Sequence, residues 1–310
     1  MTVAFLCPGQ GVQTPGMLDK LPDHPAVAAT LAEASAVLGL DVRGLPRASD
    51  LHPTVAMQLG TVTAGVAAAR ALAAEGALPN AAAGLSVGAF TAAVICGALD
   101  FGAALVAVKY RAERMAAAFP TGYGLASLLG LNEPEVKALT EAIATPEAPV
   151  YLAIVNAPRH IVVAGSHAGL DRAVAEARTT GAHRAVRLSV GVPSHCPLLA
   201  DVATDLGSFL AHTTVMAPRV PYVTNRGGRG TRDPEVIRAD LATNLAFPVR
   251  WHDAVNLLVE TGARLFVEVP PGHVLRDLAV AAFPIARAVS LADSSLATAV
   301  ALVHRHGDPP

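Results

Sequence analysis

The segment "AAAGLSVGAFTAAVICGA" (residues 81–98) constrains the fold of this chain more than any other stretch. Its opening residues are small and apolar, which is typical of a short buried strand, and residues 87–98 indicate a helix. Gly84 and Gly88 lie between the two, and glycine permits a backbone that a Cβ atom would obstruct. A strand, a sharp turn and a helix in this order predict a hydrolase-like α/β sheet, with Ser86 raised at the carboxyl end of the strand.

Strand and helix patterns alternate on both sides of this segment. Further strands are predicted at 3–7, 221–225 and 264–269, and helices at 25–39, 54–75, 100–119, 233–246, 251–262 and after the loop "PPGH" at 270–273. The helix at 25–39 begins at Pro25 and ends at Gly39, which are favoured residues at those positions. This alternation predicts the α/β class with a parallel sheet.

A different order of elements occupies residues 122–191. Strand and helix patterns follow one another there at 123–131, 132–143, 150–156, 160–165, 167–181 and 183–190. The order is βαββαβ, a ferredoxin-like unit. We therefore predict a large α/β subdomain made of residues 1–121 and 192–310, with a small ferredoxin-like subdomain inserted at 122–191.

Residues 76–99 carry no charged side chain and are long enough to span a bilayer. Their apolarity comes mostly from alanine, and no aromatic belt or basic cluster marks their ends, so a buried strand and helix are predicted instead. Charged residues are only 15% of the chain and the formal net charge is −2. This balance gives no general attraction to nucleic acid or to anionic membranes.

The three cysteines, Cys7, Cys96 and Cys196, include no C-x-x-C pair. They are expected to be small buried hydrophobes in a reduced protein. The N-terminal residues lack the basic region and long apolar run of a signal peptide. A cytoplasmic location is the expectation from these features.

Ser86 has two interpretations. At the start of a helix its hydroxyl would lie near free N–H groups that favour negative charge, and the Val87 N–H could bind an oxyanion. A nucleophilic serine fits that environment. The alternative is a small residue in a tightly packed segment.

A nucleophilic serine needs a base, and the chain offers eleven histidines. His195 is the first candidate because "VPSHCPLL" follows an apolar strand and lies in a proline-bounded loop. His273 in "PPGH" competes with it, and His195 could also be a satisfied, partly buried histidine. Cys196 is adjacent to His195, and adjacent side chains rarely face each other, so a thiol nucleophile is not expected.

Arg111 lies beside an apolar stripe on the helix at 100–119. Its guanidinium either extends to solvent or waits in a cleft for a carboxylate. The loop "PGQGVQ" (8–13) lacks the Gly-Lys-Ser/Thr of a nucleotide-binding P-loop, but its N–H groups could face an active site. No Cys/His cluster indicates a metal site.

Six motifs appear in order: "PGQGVQ" at 8–13, "GLSVG" at 84–88, "YRAERM" at 110–115, "VPSHC" at 192–196, "NLAFPVRW" at 244–251 and "VEVPPGHVL" at 267–275. Together they resemble the malonyl-CoA:acyl carrier protein transacylase family over nearly the whole chain. The stretches "AGLSVGAF" and "FPTGYG" are most similar to the branch that serves malonate decarboxylase, its epsilon subunit.

The resemblance implies a role for each motif. Ser86 is the acylated nucleophile and His195 its base, oriented by a backbone carbonyl at the position of Asn244. The backbone N–H groups of Gln10 and Val87 would form the oxyanion hole. The remaining substrate-binding positions are Arg111, which would pair with the malonyl carboxylate, and Met115 and Ser194 in the same motifs.

Two positions depart from the family pattern. Leu85 and Ala89 stand where the family usually has histidine and glutamate, which leaves the hydrogen bonding around Ser86 unexplained. The change from Gly-Ser-Gln to Gly-Val-Gln at 11–13 is milder.

The implied reaction is ping-pong transfer of a malonyl group from malonyl-CoA to the phosphopantetheine-type thiol of an acyl carrier protein. No permanently bound cofactor is implied. The acceptor is expected to be the malonate decarboxylase carrier subunit. The alternatives are a transacylase of fatty acid or polyketide synthesis, a serine esterase, or a scaffold that only docks a carrier protein.

Overall fold

A computed structural model describes residues 2–12, 14, 16–47 and 51–306 of the chain. Gln13, the last residue of the first motif, lies outside them. The strands are β1 Thr2–Cys7, β2 Ala81–Gly84, β3 Tyr123–Leu129, β4 Val150–Ala157, β5 His160–Ser166, β6 Arg184–Arg187, β7 Tyr222–Val223, β8 Gly230–Thr231, β9 Ala263–Glu268 and β10 Arg287–Ser290. The α-helices are α1 Pro25–Leu38, α2 Pro53–Ala74, α3 Gly88–Cys96, α4 Phe101–Ala118, α5 Glu133–Ile143, α6 His167–Thr179, α7 Ala200–Leu210, α8 Pro234–Thr243, α9 Trp251–Glu260, α10 Val274–Ala282 and α11 Leu296–His306.

The larger sheet has the strand order β10-β9-β1-β2-β7-β8. Its first five strands are parallel, and β8 pairs antiparallel with β7 at the edge. Side chains alternate across β1: Val3, Phe5 and Cys7 enter one apolar cluster, whereas Ala4 and Leu6 enter another. Because both faces are covered, these strands are continuously apolar, as parallel strands usually are. The predicted α/β class is confirmed.

The first cluster is built largely around α2. This helix is long and apolar enough to cross a membrane by length and composition, but 89% of its most apolar window is buried inside the protein. A core helix of a folded domain accounts for that pattern. Residues 76–99, the uncharged stretch of the sequence, form β2, the turn after it and α3 instead of a continuous span.

The smaller sheet has the order β4-β5-β3-β6, and all its neighbours are antiparallel. Helices α5 and α6 pack on it, which gives the βαββαβ order expected from the sequence. Asn132 and Glu135 form a capping box at the start of α5, so this helix start is encoded locally. The Val155 N–H donates to the Val249 carbonyl, which joins β4 to the larger part of the chain. The subdomain boundaries at 122 and 191 stay a prediction.

Four elements have no counterpart in the sequence prediction: α7, α11, β8 and β10. The two strands are short and lie at the edges of the larger sheet, where only tertiary pairing identifies them. Helix α7 follows a short 3₁₀ helix without a side-chain N-cap, so it lacks a local start signal.

Candidate active site

Ser86 occupies a strained turn between β2 and α3. Its φ of +58° is in the left-handed region, which costs about 1–2 kcal/mol for a residue with a Cβ atom. The strained turn places the hydroxyl at the start of α3, where the helix dipole favours negative charge. The predicted strand, turn and helix are therefore present, and Ser86 is the residue at the apex.

The loop after β1 packs closely against the turn at Ser86. A Cβ atom on Gly9 would lie 2.8 Å from the Leu85 carbonyl oxygen, and one on Gly88 would lie 2.6 Å from the Pro8 oxygen. Both neighbours are backbone atoms, which have little freedom to move. The glycines therefore bring Gln10 beside the nucleophile.

We expect Gly88→Ala to lower the free energy of unfolding by about 3 kcal/mol, because overpacking against fixed backbone is strongly destabilising. Urea titration measures the change. Gly191→Ala is the matched control, since a Cβ atom there would meet open space. Equal stability of the two variants would contradict the proposed close approach.

His195 completes a hydrogen-bonded pair with Ser86. Its Nε2 lies 2.8 Å from Ser86 Oγ, and its Nδ1 lies 2.6 Å from the Asn244 carbonyl oxygen. A carbonyl can only accept, so Nδ1 carries the proton and Nε2 is the acceptor for the Ser86 hydroxyl. His195 itself has a φ of +67°, and its N–H donates to the Leu245 carbonyl. This geometry fits a general base oriented by backbone.

The environment keeps His195 neutral. Burial, with a smaller contribution from the positive charge of Arg111, lowers the pKa of the imidazole to about 3, against the opposing effect of the Asn244 carbonyl. Burial also raises the pKa of the neighbouring Cys196 thiol to about 12. A raised thiol pKa disfavours the nucleophilic thiolate. All three cysteines are buried and free, as expected.

Arg111 is buried in the same site, with 1% of its surface exposed. Its Nη2 donates to Ser86 Oγ at 3.2 Å, and its Nη1 donates to Gln58 Oε1 at 2.5 Å. Its Nε has no partner, and no carboxylate of the described residues pairs with the guanidinium. The interpretation that this side chain extends to solvent is wrong, because helix α4 turns it inward.

Burial lowers the pKa of Arg111 to about 9, so the guanidinium remains charged at neutral pH. A buried charge without a counter-ion is strongly disfavoured. Gln58 occupies Nη1 and Ser86 Oγ accepts one N–H of Nη2, so the Nε N–H and the second N–H of Nη2 are left for a ligand. An anion bound there would lie beside Ser86.

Gln58 is the site residue that the sequence analysis missed. It lies on α2 with 1% of its surface exposed, and its Nε2 contacts Gln10 Oε1 at 3.4 Å and Met115 Sδ at 3.7 Å. Met115 is thereby brought into the site. A lone glutamine in a helix of alanine and aliphatic residues was the available signal.

The candidate oxyanion donors lie on the two sides of the turn. Val87 is the first residue after Ser86, and Gln10 follows the glycine that contacts Leu85. Among the described residues, neither N–H has a hydrogen-bond partner. The Ser86 N–H, by contrast, donates to Asn225 Oδ1 at 2.8 Å. Two free donors are thus available near the hydroxyl.

Two of the remaining predicted residues lie near the pair. Ser194 is buried next to His195, and its N–H donates to Val192. The side-chain amide of Asn244 is fully buried and has no hydrogen-bond partner among the described residues, whereas the backbone carbonyl of Asn244 contacts His195 Nδ1. The competing histidine, His273, is half exposed beside Asp277 and takes no part in the site. Within the described ranges, no group of His, Cys, Asp or Glu could hold a metal ion.

A cleft of about 480 Å³ lies between the two sheets, and Leu85, the neighbour of Ser86, is one of its lining residues. The loop after β1 contributes Gly9 and Gln10, and the small sheet contributes polar residues: Ser127, Asn156, His160, Arg184 and Arg187. Leu85, which stands where the family usually has histidine, thus supplies an apolar wall of the cleft. Ala89 is buried in α3, so position 89 places no carboxylate beside the turn.

The family model for the acyl transferase domain matches residues 4–306. The chain belongs to this family. The malonyl CoA-acyl carrier protein transacylase of Escherichia coli K12 is 38% identical to this acyl transferase over 283 residues, which is 89% of this chain and 91% of the relative. The Bacillus subtilis protein of the same name is 32% identical, with 89% of each chain covered.

Solved structures agree with this assignment. The acyl-carrier-protein S-malonyltransferase of Burkholderia pseudomallei superposes with a TM-score of 0.91 at 36% identity, covering 97% of this acyl transferase and all of that chain. A malonyl-transacylase solved in complex with a type II polyketide synthase acyl-carrier protein has a TM-score of 0.92 at 33% identity, with 97% and 100% of the chains covered. The family predicted from the six motifs is confirmed; the malonate decarboxylase branch stays a prediction.

Proposed function

We propose that this acyl transferase moves a malonyl group from malonyl-CoA to the thiol of an acyl carrier protein, through a malonyl ester on Ser86. The proposal rests mainly on the environment of Arg111: its guanidinium is buried, donates to Ser86 Oγ and pairs with no carboxylate of the described residues. An acyl donor with a free carboxylate supplies the missing charge. The names of the relatives support the same donor and acceptor.

In the first half-reaction, Ser86 Oγ attacks the thioester carbonyl while His195 Nε2 takes its proton. The resulting oxyanion accepts from the N–H groups of Gln10 and Val87. The malonyl carboxylate accepts from Nε and Nη2 of Arg111, because Gln58 holds Nη1. When the C–S bond breaks, His195 returns its proton to the CoA thiolate.

In the second half-reaction, His195 deprotonates the carrier-protein thiol, which attacks the malonyl ester, and His195 returns the proton to Ser86 Oγ as the ester C–O bond breaks. The thiol reaches the ester through the cleft between the two sheets. Its apolar wall at Leu85 and the polar groups Ser127, Asn156 and His160 fit an extended arm with amide groups. Coenzyme A and the carrier protein share this arm, so one cleft serves both substrates. No permanently bound cofactor is needed for these steps.

The acceptor has two candidate sources. The named relatives favour the carrier protein of fatty acid or polyketide synthesis. The stretches "AGLSVGAF" and "FPTGYG" are the support for the malonate decarboxylase carrier instead. Purifying the native partner from its host and identifying the carrier protein that takes the malonyl group decides between them.

Intact mass after brief exposure to malonyl-CoA, without carrier protein, tests the proposal. We expect one malonyl adduct per chain, because the ester cannot be discharged without a thiol acceptor. Ser86→Ala is the control and should carry no adduct. Rapid release of CoA with no adduct would identify a serine esterase, and no reaction at all would identify a scaffold that only docks a carrier protein.

A further inference from the structure

Asn225 lies two residues beyond β7 and reaches across to the Ser86 turn. Its Oδ1 accepts from the Ser86 N–H at 2.8 Å, and its Nδ2 donates to the Gly84 carbonyl at 2.8 Å. Strands β2 and β7 pair only as far as Ala83 and Val223. Beyond that point, the side-chain amide of Asn225 takes the place of a backbone peptide group and continues the ladder across the turn.

The backbone of Asn225 is held by the carboxylate of Asp240 on α8. The Asn225 N–H donates to both carboxylate oxygens of Asp240 at 3.0 Å, and the Arg226 N–H donates to one of them at 3.1 Å. The Tyr222 hydroxyl donates to the other at 2.6 Å. All these groups except Arg226 are buried. Asp240 therefore fixes the backbone at Asn225, and the side chain of Asn225 extends from this fixed point to the Ser86 turn.

We propose that Asn225 is a positioning residue that holds Ser86 in its left-handed conformation and that Asp240 anchors it. Because the Ser86 N–H donates to Asn225 Oδ1, it is not available to the oxyanion. The oxyanion therefore accepts from the N–H groups of Val87 and Gln10. The side chain of Asn225 also sets the direction of Ser86 Oγ toward His195 Nε2. The inference rests on the proposed function only in taking Ser86 as the nucleophile.

The test uses a fluorophosphonate probe, which phosphonylates activated serines without requiring malonyl-CoA. We expect Asn225→Ala to slow labelling of Ser86 about 100-fold, because a misplacement of about 1 Å has an effect of that size. The rate of malonyl adduct formation should fall equally, with the KM for malonyl-CoA nearly unchanged. If the probe labels Ser86 of the wild-type protein but malonyl-CoA gives no adduct, the proposed function is refuted. The labelling rate of Asn225→Ala relative to the wild type then still decides this inference.

Asn225→Asp separates positioning from folding. A protonated aspartic acid restores both bonds, since its O–H donates to Gly84 and its carbonyl accepts from Ser86. A carboxylate instead repels the Gly84 carbonyl and Asp240. Labelling of this variant should therefore recover as pH falls, with thermal unfolding measured at each pH as a reference.

Asn80→Ala is the matched control. Its Oδ1 accepts from the Val3 N–H at 2.8 Å at the opposite end of the same sheet, so its loss should leave labelling unchanged. A wild-type rate in Asn225→Ala would overturn the inference. So would a defect in Asn225→Asp that does not change with pH.

Discussion

Replacing Arg111 with alanine is expected to lower malonyl transfer about 1,000-fold and to leave acetyl transfer unchanged or raised. Truncating one partner of a buried charge pair weakens binding by about 2–5 kcal/mol. A loss of about 4 kcal/mol corresponds to a rate about 1,000-fold lower. Acetyl-CoA has no carboxylate, so in the wild type it leaves the guanidinium buried and uncompensated. Removing the charge removes this discrimination. Rates of transfer from both donors to one carrier protein measure the change.

Arg114→Ala is the matched control for this substitution. Arg114 lies on the same helix, but it is half exposed and pairs with Asp205 at 2.6 Å. Both donors should react with this variant at the wild-type rate. An unchanged preference for malonyl over acetyl in Arg111→Ala would refute the role of Arg111 as carboxylate ligand.

The turn at Ser86 was predictable because its requirements are local. Gly84, Ser86 and Gly88 are within five residues, and glycine is needed wherever backbone approaches backbone closely. The start of α5 was predictable for the same reason, since Asn132 and Glu135 complete a capping box within one turn. Local signals of this kind fixed most of the predicted elements.

The rest of the site depends on residues that are distant in sequence. His195 is 109 positions from Ser86, so sequence spacing could not separate it from His273 without the family motifs. Whether Arg111 faced solvent or a cleft depended on how α4 packs against α2, which the stripe on α4 alone does not reveal. Asn225 is 139 positions from Ser86 and acts through strand order, which only the folded sheet establishes.

The second large effect is expected for His195→Ala, which should slow formation of the malonyl adduct about 1,000-fold or more, within the range for loss of a general base. The structural reason is that no other described group contacts Ser86 Oγ as an acceptor; Arg111 Nη2 can only donate. Stopped reactions analysed by intact mass give the rate. His273→Ala is the control, because that half-exposed ring lies beside Asp277 and Asp293 and should not affect the rate.

The pH dependence of the wild type provides an independent check on His195. A lowered pKa means that the neutral, basic form persists at lower pH, so the acid limb of kcat/KM moves down from the ordinary histidine value. With the pKa at about 3, kcat/KM should stay flat from pH 8 to about pH 5, provided thermal unfolding shows the chain folded throughout. A bound malonyl carboxylate neutralises the charge of Arg111, which is one cause of the lowered pKa of His195. The acid limb of kcat should therefore lie at higher pH than that of kcat/KM. For the same reason, Arg111→Ala should shift the acid limb for acetyl transfer to higher pH. A limb in kcat/KM near pH 6.5 in the wild type would show that His195 is solvated and would contradict the buried base.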